Sequence, residues 1–297
     1  MSTPLLSVRG LCKHYLGGPW WRRERISAVQ EVGFDLYPGQ TLALVGESGS
    51  GKSTVGKLVT RLERSDAGSV QFAGQDLGRL HGPALRAIRR ELQIVFQDPF
   101  SAIDPRMPVG RFVEEPLRVH GLYPDARERA EVVAATFEKV GFDPALMGRH
   151  ARAFSGGQRQ RICIARAIIM QPRLIVADEP ITALDVSIQA QIVNLLQRLQ
   201  EESGVAYLFI SHDLSMVRHL SHQVAVMRQG RIVEQAPTAR LFQAPLHPYT
   251  QALLSAVPVP DPRIERGRQR QRFDAAAHPI AADARLREVA PEHYLLG

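Results

Sequence analysis

At 297 residues, with 44% hydrophobic, 23% charged and 6% aromatic side chains, the chain has an ordinary globular composition. That excludes a mainly disordered or fibrous protein and leaves room for one large domain with an insertion or appendage. The net charge of +7 favours an anionic partner without choosing among nucleotide, nucleic acid and acidic lipid. No apolar run reaches the roughly 18 residues needed to cross a bilayer, because the best one, Ile162 to Met170, is interrupted by Arg166. Cys12 and Cys163 are too few and too far apart for a four-ligand zinc or iron–sulfur site. The opening residues lack the basic-then-apolar layout of a secretory signal, so the expectation is a reducing cytoplasm without structural disulfides.

In chain order, Thr41 to Val45 is a short apolar run that reads as a buried strand, and Val55, Leu58, Val59 and Leu62 follow it at helical spacing. Gln93 to Phe96 reads as another strand. From about Asp98 to Arg161 the pattern is helical, as in the amphipathic stretch Asp125 to Val140, and this reads as an inserted helical subdomain. Leu174 to Ala177 is a second apolar strand before a helix from about Ser187 to Leu199, and Tyr207 to Ile210 is a third. Continuous apolar strands alternating with helices predict a parallel sheet covered on both faces. Val257-Pro258-Val259-Pro260-Asp261-Pro262 reads as an extended connector, and the remainder to Gly297 as a small appendage.

Between the first strand and its helix lies Gly46-Glu47-Ser48-Gly49-Ser50-Gly51-Lys52-Ser53, followed by Thr54. It matches G-x-x-x-x-G-K-[ST] in the strand–loop–helix setting that the motif's mechanism requires. Glycines let backbone N–H groups converge on phosphate oxygens, Lys52 reaches the β- and γ-phosphates, and the Ser53 hydroxyl ligates Mg²⁺. Asp178-Glu179 closes the strand Leu174 to Ala177 and belongs on the same crest of the sheet. Alone such a pair is an ordinary solvated turn, but beside the phosphate loop Asp178 suits the shell of Mg²⁺ and Glu179 suits a general base for water. Ser155-Gly156-Gly157-Gln158 reads as a capping box opening a helix, and also as a second anion-binding helix start, surplus unless it serves a nucleotide held by another copy.

The stretch from Phe154 to Arg161 resembles the signature motif of ABC ATPases, and the resemblance to the ATP-binding subunits of ABC importers extends over almost the whole chain. It implies an α/β fold: a P-loop NTPase (RecA-like) parallel-sheet core at 1–97 and 166–255, with an antiparallel β part, a helical signature subdomain at 98–165 and a C-terminal appendage at 256–297. It implies a head-to-tail dimer with two ATP molecules sandwiched between subunits. Gln97 resembles the glutamine that touches Mg²⁺ and senses the membrane partner. Ala183-Leu184-Asp185 resembles the D-loop, with Asp185 communicating between sites, although a helix N-terminal carboxylate is the plainer reading. His212 resembles the histidine that contacts the γ-phosphate and positions the water, making with Lys52 and Glu179 the expected catalytic set; a lone His after a strand is otherwise structural. Tyr15 resembles the aromatic that stacks on adenine, with core packing as the alternative.

Leu246-His247-Pro248-Tyr249-Thr250-Gln251-Ala252-Leu253-Leu254 is similar to the C-terminal segment of oligopeptide, dipeptide and nickel importer ATPases. The implied partners are a second ATPase subunit, two membrane permeases and, indirectly, an extracytoplasmic solute-binding protein, at the cytoplasmic face of the membrane and without nucleic acid. Departures are Phe154 for the usual leucine, Ile181 for a frequent threonine, Ala102-Ile103-Asp104, and no cysteine in 263–297 where some relatives carry a cysteine-rich tail. A soluble ABC ATPase acting on nucleic acid and a non-catalytic nucleotide-sensing module are the rival readings. Neither long coiled coils nor a second cassette supports the first, and Glu179 with His212 opposes the second. Trp20 to Arg25 and Arg263 to Arg272 read either as lipid-facing surfaces or as solvated loops.

Overall fold

The computed structural model describes residues 3–18, 20, 23–182, 184–257, 270–281 and 283–297. The chain runs through β1 (Leu6–Gly17), β2 (Glu24–Leu36), β3 (Thr41–Val45), α1 (Lys52–Val59), β4 (Ala67–Phe72), β5 (Gln75–Asp76), α2 (Gly82–Glu91) and β6 (Leu92–Val95). Four helices follow: α3 (Pro99–Ala102), α4 (Val109–Val119), α5 (Ala126–Lys139) and α6 (Gly156–Ile168). The chain then returns to the sheet with β7 (Leu174–Asp178), α7 (Val186–Ser203), β8 (Ala206–Ser211), α8 (Leu214–Leu220), β9 (Gln223–Arg228) and β10 (Arg231–Pro237). Helices α9 (Thr238–Gln243) and α10 (Pro248–Ser255) precede the hairpin β11 (Leu286–Ala290) and β12 (His293–Leu296).

Strands β6, β7, β8, β3 and β9 lie parallel in that spatial order. Every residue of β3, β7 and β8 is buried, as continuous apolar strands require when both faces are covered. Alternation divides them between two cores. Leu42, Leu44, Val176 and Leu208 pack with α1 and the antiparallel sheet β2-β1-β4-β5, whereas Ala43, Val45, Ala177 and Phe209 join the core built by α4, α5, α6 and α7. Register then fixes the functional edge: Val45 pairs with Ser211 and Asp178 with Ile210, so β3, β7 and β8 all end at one level. In an open parallel sheet that carboxyl edge is where ligands bind.

Three local expectations are revised. Leu62 is half-exposed beyond α1, because the chain turns at Arg61 with φ +55° and leaves the helix. Phe96 lies past the end of β6 with 43% of its surface exposed. Residues 286–296, expected within an appendage, form β11 and β12, and β12 pairs with β10 to extend the main sheet. That junction buries a polar pair: Glu234 on β10 is fully buried and His293 on β12 nearly so, with Nε2 2.8 Å from Glu234 Oε1. Residues Trp21 and Arg22, Ala183, and the connector and basic run from Pro258 to Gln269 lie outside the described residues. Trp20 is exposed.

Candidate nucleotide site

The loop from Gly46 to Gly51 follows β3 and opens α1, so the backbone must turn sharply within six residues. Gly51 has φ +103°, and a Cβ there would stand 2.1 Å from the Ala28 carbonyl oxygen. Gly46, at φ +151°, would bring a Cβ equally close, 2.1 Å, to the Met227 carbonyl of β9. Glycine is therefore required at both ends of the loop, by backbone conformation and by the closeness of neighbouring strands. Lys52 begins α1 and is buried; its ammonium donates to the carbonyl oxygens of Gly46 and Glu47, each at 2.8 Å, and lies 3.4 Å from Ser50 Oγ. Burial lowers its pKa, and the carboxylates of Glu179, Asp178 and Glu47 oppose that shift.

The next residue, Ser53, donates its hydroxyl to Asp178 Oδ1 at 2.8 Å across the sheet edge. Asp178 is buried, which raises its pKa, and the Ser53 hydrogen bond partly offsets the rise. Glu179 follows in a left-handed conformation, φ +46°, with its N–H donating to Ile210 O at 2.9 Å. Three side chains then converge on one of its oxygens. Gln97 Nε2 donates to Glu179 Oε2 at 3.1 Å, Thr182 Oγ1 donates at 3.0 Å, and His212 Nδ1 lies 3.4 Å away. Gln97 comes from the loop after β6 and His212 from the end of β8, so the aligned strand ends assemble the cluster.

One cavity of about 680 Å³ is walled by Gly46 to Gly49, Gly51 to Thr54, Gln97, Glu179 and His212, with Ser50 and Asp178 behind its wall. Thr182 and Leu253 also line it, and sequence reasoning missed both. The hydroxyl three residues after Glu179 was the available signal for Thr182; Leu253 sits on α10 and offers no local signal. A cavity of similar size, about 690 Å³, lies between β1, β2 and the C-terminal hairpin, but neither the phosphate-binding loop nor Asp178-Glu179 reaches it. The chemistry therefore selects the first.

Other expected residues lie apart from that cavity. Tyr15, on β1, does not line it; it is partly exposed and donates its hydroxyl to the Glu63 carboxylate. Ser155 and Gln158 form the reciprocal capping box of α6: Gln158 N–H donates to Ser155 Oγ at 3.3 Å, and Ser155 N–H to Gln158 Oε1 at 2.9 Å. Gly157 packs so closely on α7 that a Cβ would stand 2.3 Å from Ile188 Cγ2, while Gly156 sits over Leu184 and Phe100. Asp185 stands at the N-cap of α7 without a capping bond from its side chain. Neither Asp185 nor any residue from 155 to 158 lines the cavity.

Residues 29–182 match the family model for the ABC transporter, and residues 233–280 match the one for the oligopeptide/dipeptide transporter, C-terminal region. The chain is 46% identical over its whole length to the oligopeptide transport ATP-binding protein OppF of Bacillus subtilis (strain 168), covering 97% of that protein. It is 48% identical over 99% of its length to the glutathione import ATP-binding protein GsiA of Escherichia coli (strain K12), and spans about half, 48%, of that longer protein. Among solved structures, the post-hydrolysis dimer of the ATP-binding cassette MJ0796 bound to ADP and Pi superposes with TM-score 0.70 at 27% identity, covering 78% of this chain and 98% of that one. Cassette cbiO1 from Clostridium perfringens, at 24% identity and TM-score 0.71 over 81% of this chain and 91% of its own, shares the fold. The chain belongs to the ABC transporter family of ATP-binding proteins.

Proposed function

We propose that the chain is the ATP-hydrolysing subunit of a peptide importer and energises transport through separate permease subunits. The observation that carries this reading is the cluster at the sheet edge, where Lys52, Ser53 and Asp178 flank a cavity into which Glu179 brings a carboxylate clamped at one oxygen. Lys52 and the loop N–H groups bind the ATP phosphates, and Thr54 closes the loop. Glu179 takes the proton of the attacking water; Gln97, Thr182 and His212 hold Oε2, and no described residue bonds Oε1, which is left to receive that proton. The hard oxygen donors of Ser53, Asp178 and Gln97 fit magnesium, which when bound neutralises phosphate charge. Among the described residues no cluster of three or more His, Cys, Asp or Glu could hold a metal unaided, so that ion would arrive shared with the phosphates.

Ser155, Gly156, Gly157 and Gln158, with Asp185, serve the nucleotide of a second ATPase subunit, because in one chain they stand away from the cavity. Tyr15 on β1 stacks on adenine. The peptide cargo is supported by the match of the C-terminal region and by the relatives named for oligopeptide and glutathione import, glutathione itself being a small peptide. No helix among the described residues is long and apolar enough to cross a membrane, which fits a peripheral subunit at the cytoplasmic face bound to two permeases. Affinity isolation of the tagged chain from native membranes with ATP, followed by mass spectrometry, should recover two permeases, a second ATPase and a solute-binding protein. Recovery of soluble nucleic-acid complexes instead would overturn the transport reading.

A further inference from the structure

We infer that Tyr249 is a positioning residue for the phosphate-binding loop, acting on the same peptide unit that Lys52 grips and linking that loop to the C-terminal hairpin. Tyr249, on α10, is 2% exposed, and its hydroxyl accepts a hydrogen bond from the Glu47 N–H at 3.1 Å. That N–H and the Gly46 carbonyl belong to one planar trans peptide, so they point in opposite directions. Lys52 Nζ donates to the Gly46 carbonyl at 2.8 Å. Tyrosine and lysine therefore hold the plane from its two sides, and releasing one side lets it rotate and carry the Lys52 anchor with it.

The tyrosine is itself held from the far end of the chain. His247 Nδ1 accepts from the Tyr249 N–H at 3.0 Å, which requires that nitrogen to be unprotonated. The Leu246 and His247 N–H groups each donate at 2.9 Å to the two oxygens of buried Glu234, the carboxylate that also binds His293 of β12. On the other side Phe273 packs edge-on against the tyrosine ring at 5.3 Å, and the Arg228 guanidinium lies 4.5 Å from the Phe273 ring. A shift of β12 or of the segment around Phe273 thus reaches the loop through one hydroxyl.

The inference rests on the phosphate-loop reading, and the experiment separates the two. ATP affinity of the full-length chain is measured by calorimetry for wild type, Tyr249→Phe, Lys52→Ala and the double variant. Tyr249→Phe keeps the packed ring and removes only the hydroxyl; it should weaken ATP binding about 3- to 10-fold, as expected for one neutral hydrogen bond. The loss should shrink in the Lys52→Ala background, because the two residues act on one peptide. Weakening by Lys52→Ala with unchanged affinity in Tyr249→Phe overturns the role of Tyr249 and leaves the loop reading intact, whereas unchanged affinity in Lys52→Ala overturns both. A readout that needs no variant is hydrogen exchange: in nucleotide-free wild type the Glu47 amide should exchange at least about tenfold more slowly than an unstructured amide, and free exchange there contradicts the proposal.

Discussion

Replacing Glu179 with Gln is expected to slow ATP turnover by about 10²–10⁴-fold, the range for loss of a positioned general base. The substitution is nearly isosteric, and its amide oxygen can still accept from Gln97 and Thr182, which donate to Oε2 in the wild type beside His212. Geometry therefore survives while the ability to take a proton from water is lost. ATP should bind as well as before and persist unhydrolysed. Steady-state phosphate release at saturating ATP, together with retention of labelled ATP on the purified protein, checks both halves. Turnover near the wild-type rate would remove Glu179 from the base role.

Lys52→Ala is expected to weaken ATP binding by about 10- to 100-fold, since charge-assisted hydrogen bonds contribute on the order of 1.5–3 kcal/mol and here act without full additivity. The side chain is buried and already poised at the loop, donating to Gly46 and Glu47 carbonyls at 2.8 Å. Its removal takes away a cation and also leaves two loop carbonyls without their donor. The local cluster becomes more negative, because Glu179, Asp178 and Glu47 are the charges that favour the protonated lysine. Calorimetric titration reads the effect, and unchanged affinity would contradict the phosphate-loop assignment.

What could be read from the sequence was what local pattern determines. The apolar run Thr41 to Val45, the glycines at 46 and 51 and the lysine that follows specify a strand, a turn and a helix within a dozen residues. Asp178 and Glu179 share an edge with the loop because β3, β7 and β8 run parallel and end in register. The capping box of Ser155 and Gln158 is likewise a local matter. Contacts between distant segments were not legible. Tyr249 meets Glu47 across 202 residues of sequence. The hairpin β11–β12 gives a weak signal because its first strand has no fully buried residue, and its place depends on the buried contact between His293 and Glu234. Leu62 was misplaced because nothing in the helical spacing announces the left-handed turn at Arg61.

The most direct test is ATP-driven uptake of labelled oligopeptides into proteoliposomes holding the transporter assembled with this chain, compared between wild type and Glu179→Gln. Uptake is expected with wild type and near-complete loss in the variant, although the assembled complex still binds ATP. Undiminished uptake with Glu179→Gln would contradict the claim that hydrolysis at this site powers the import of peptides.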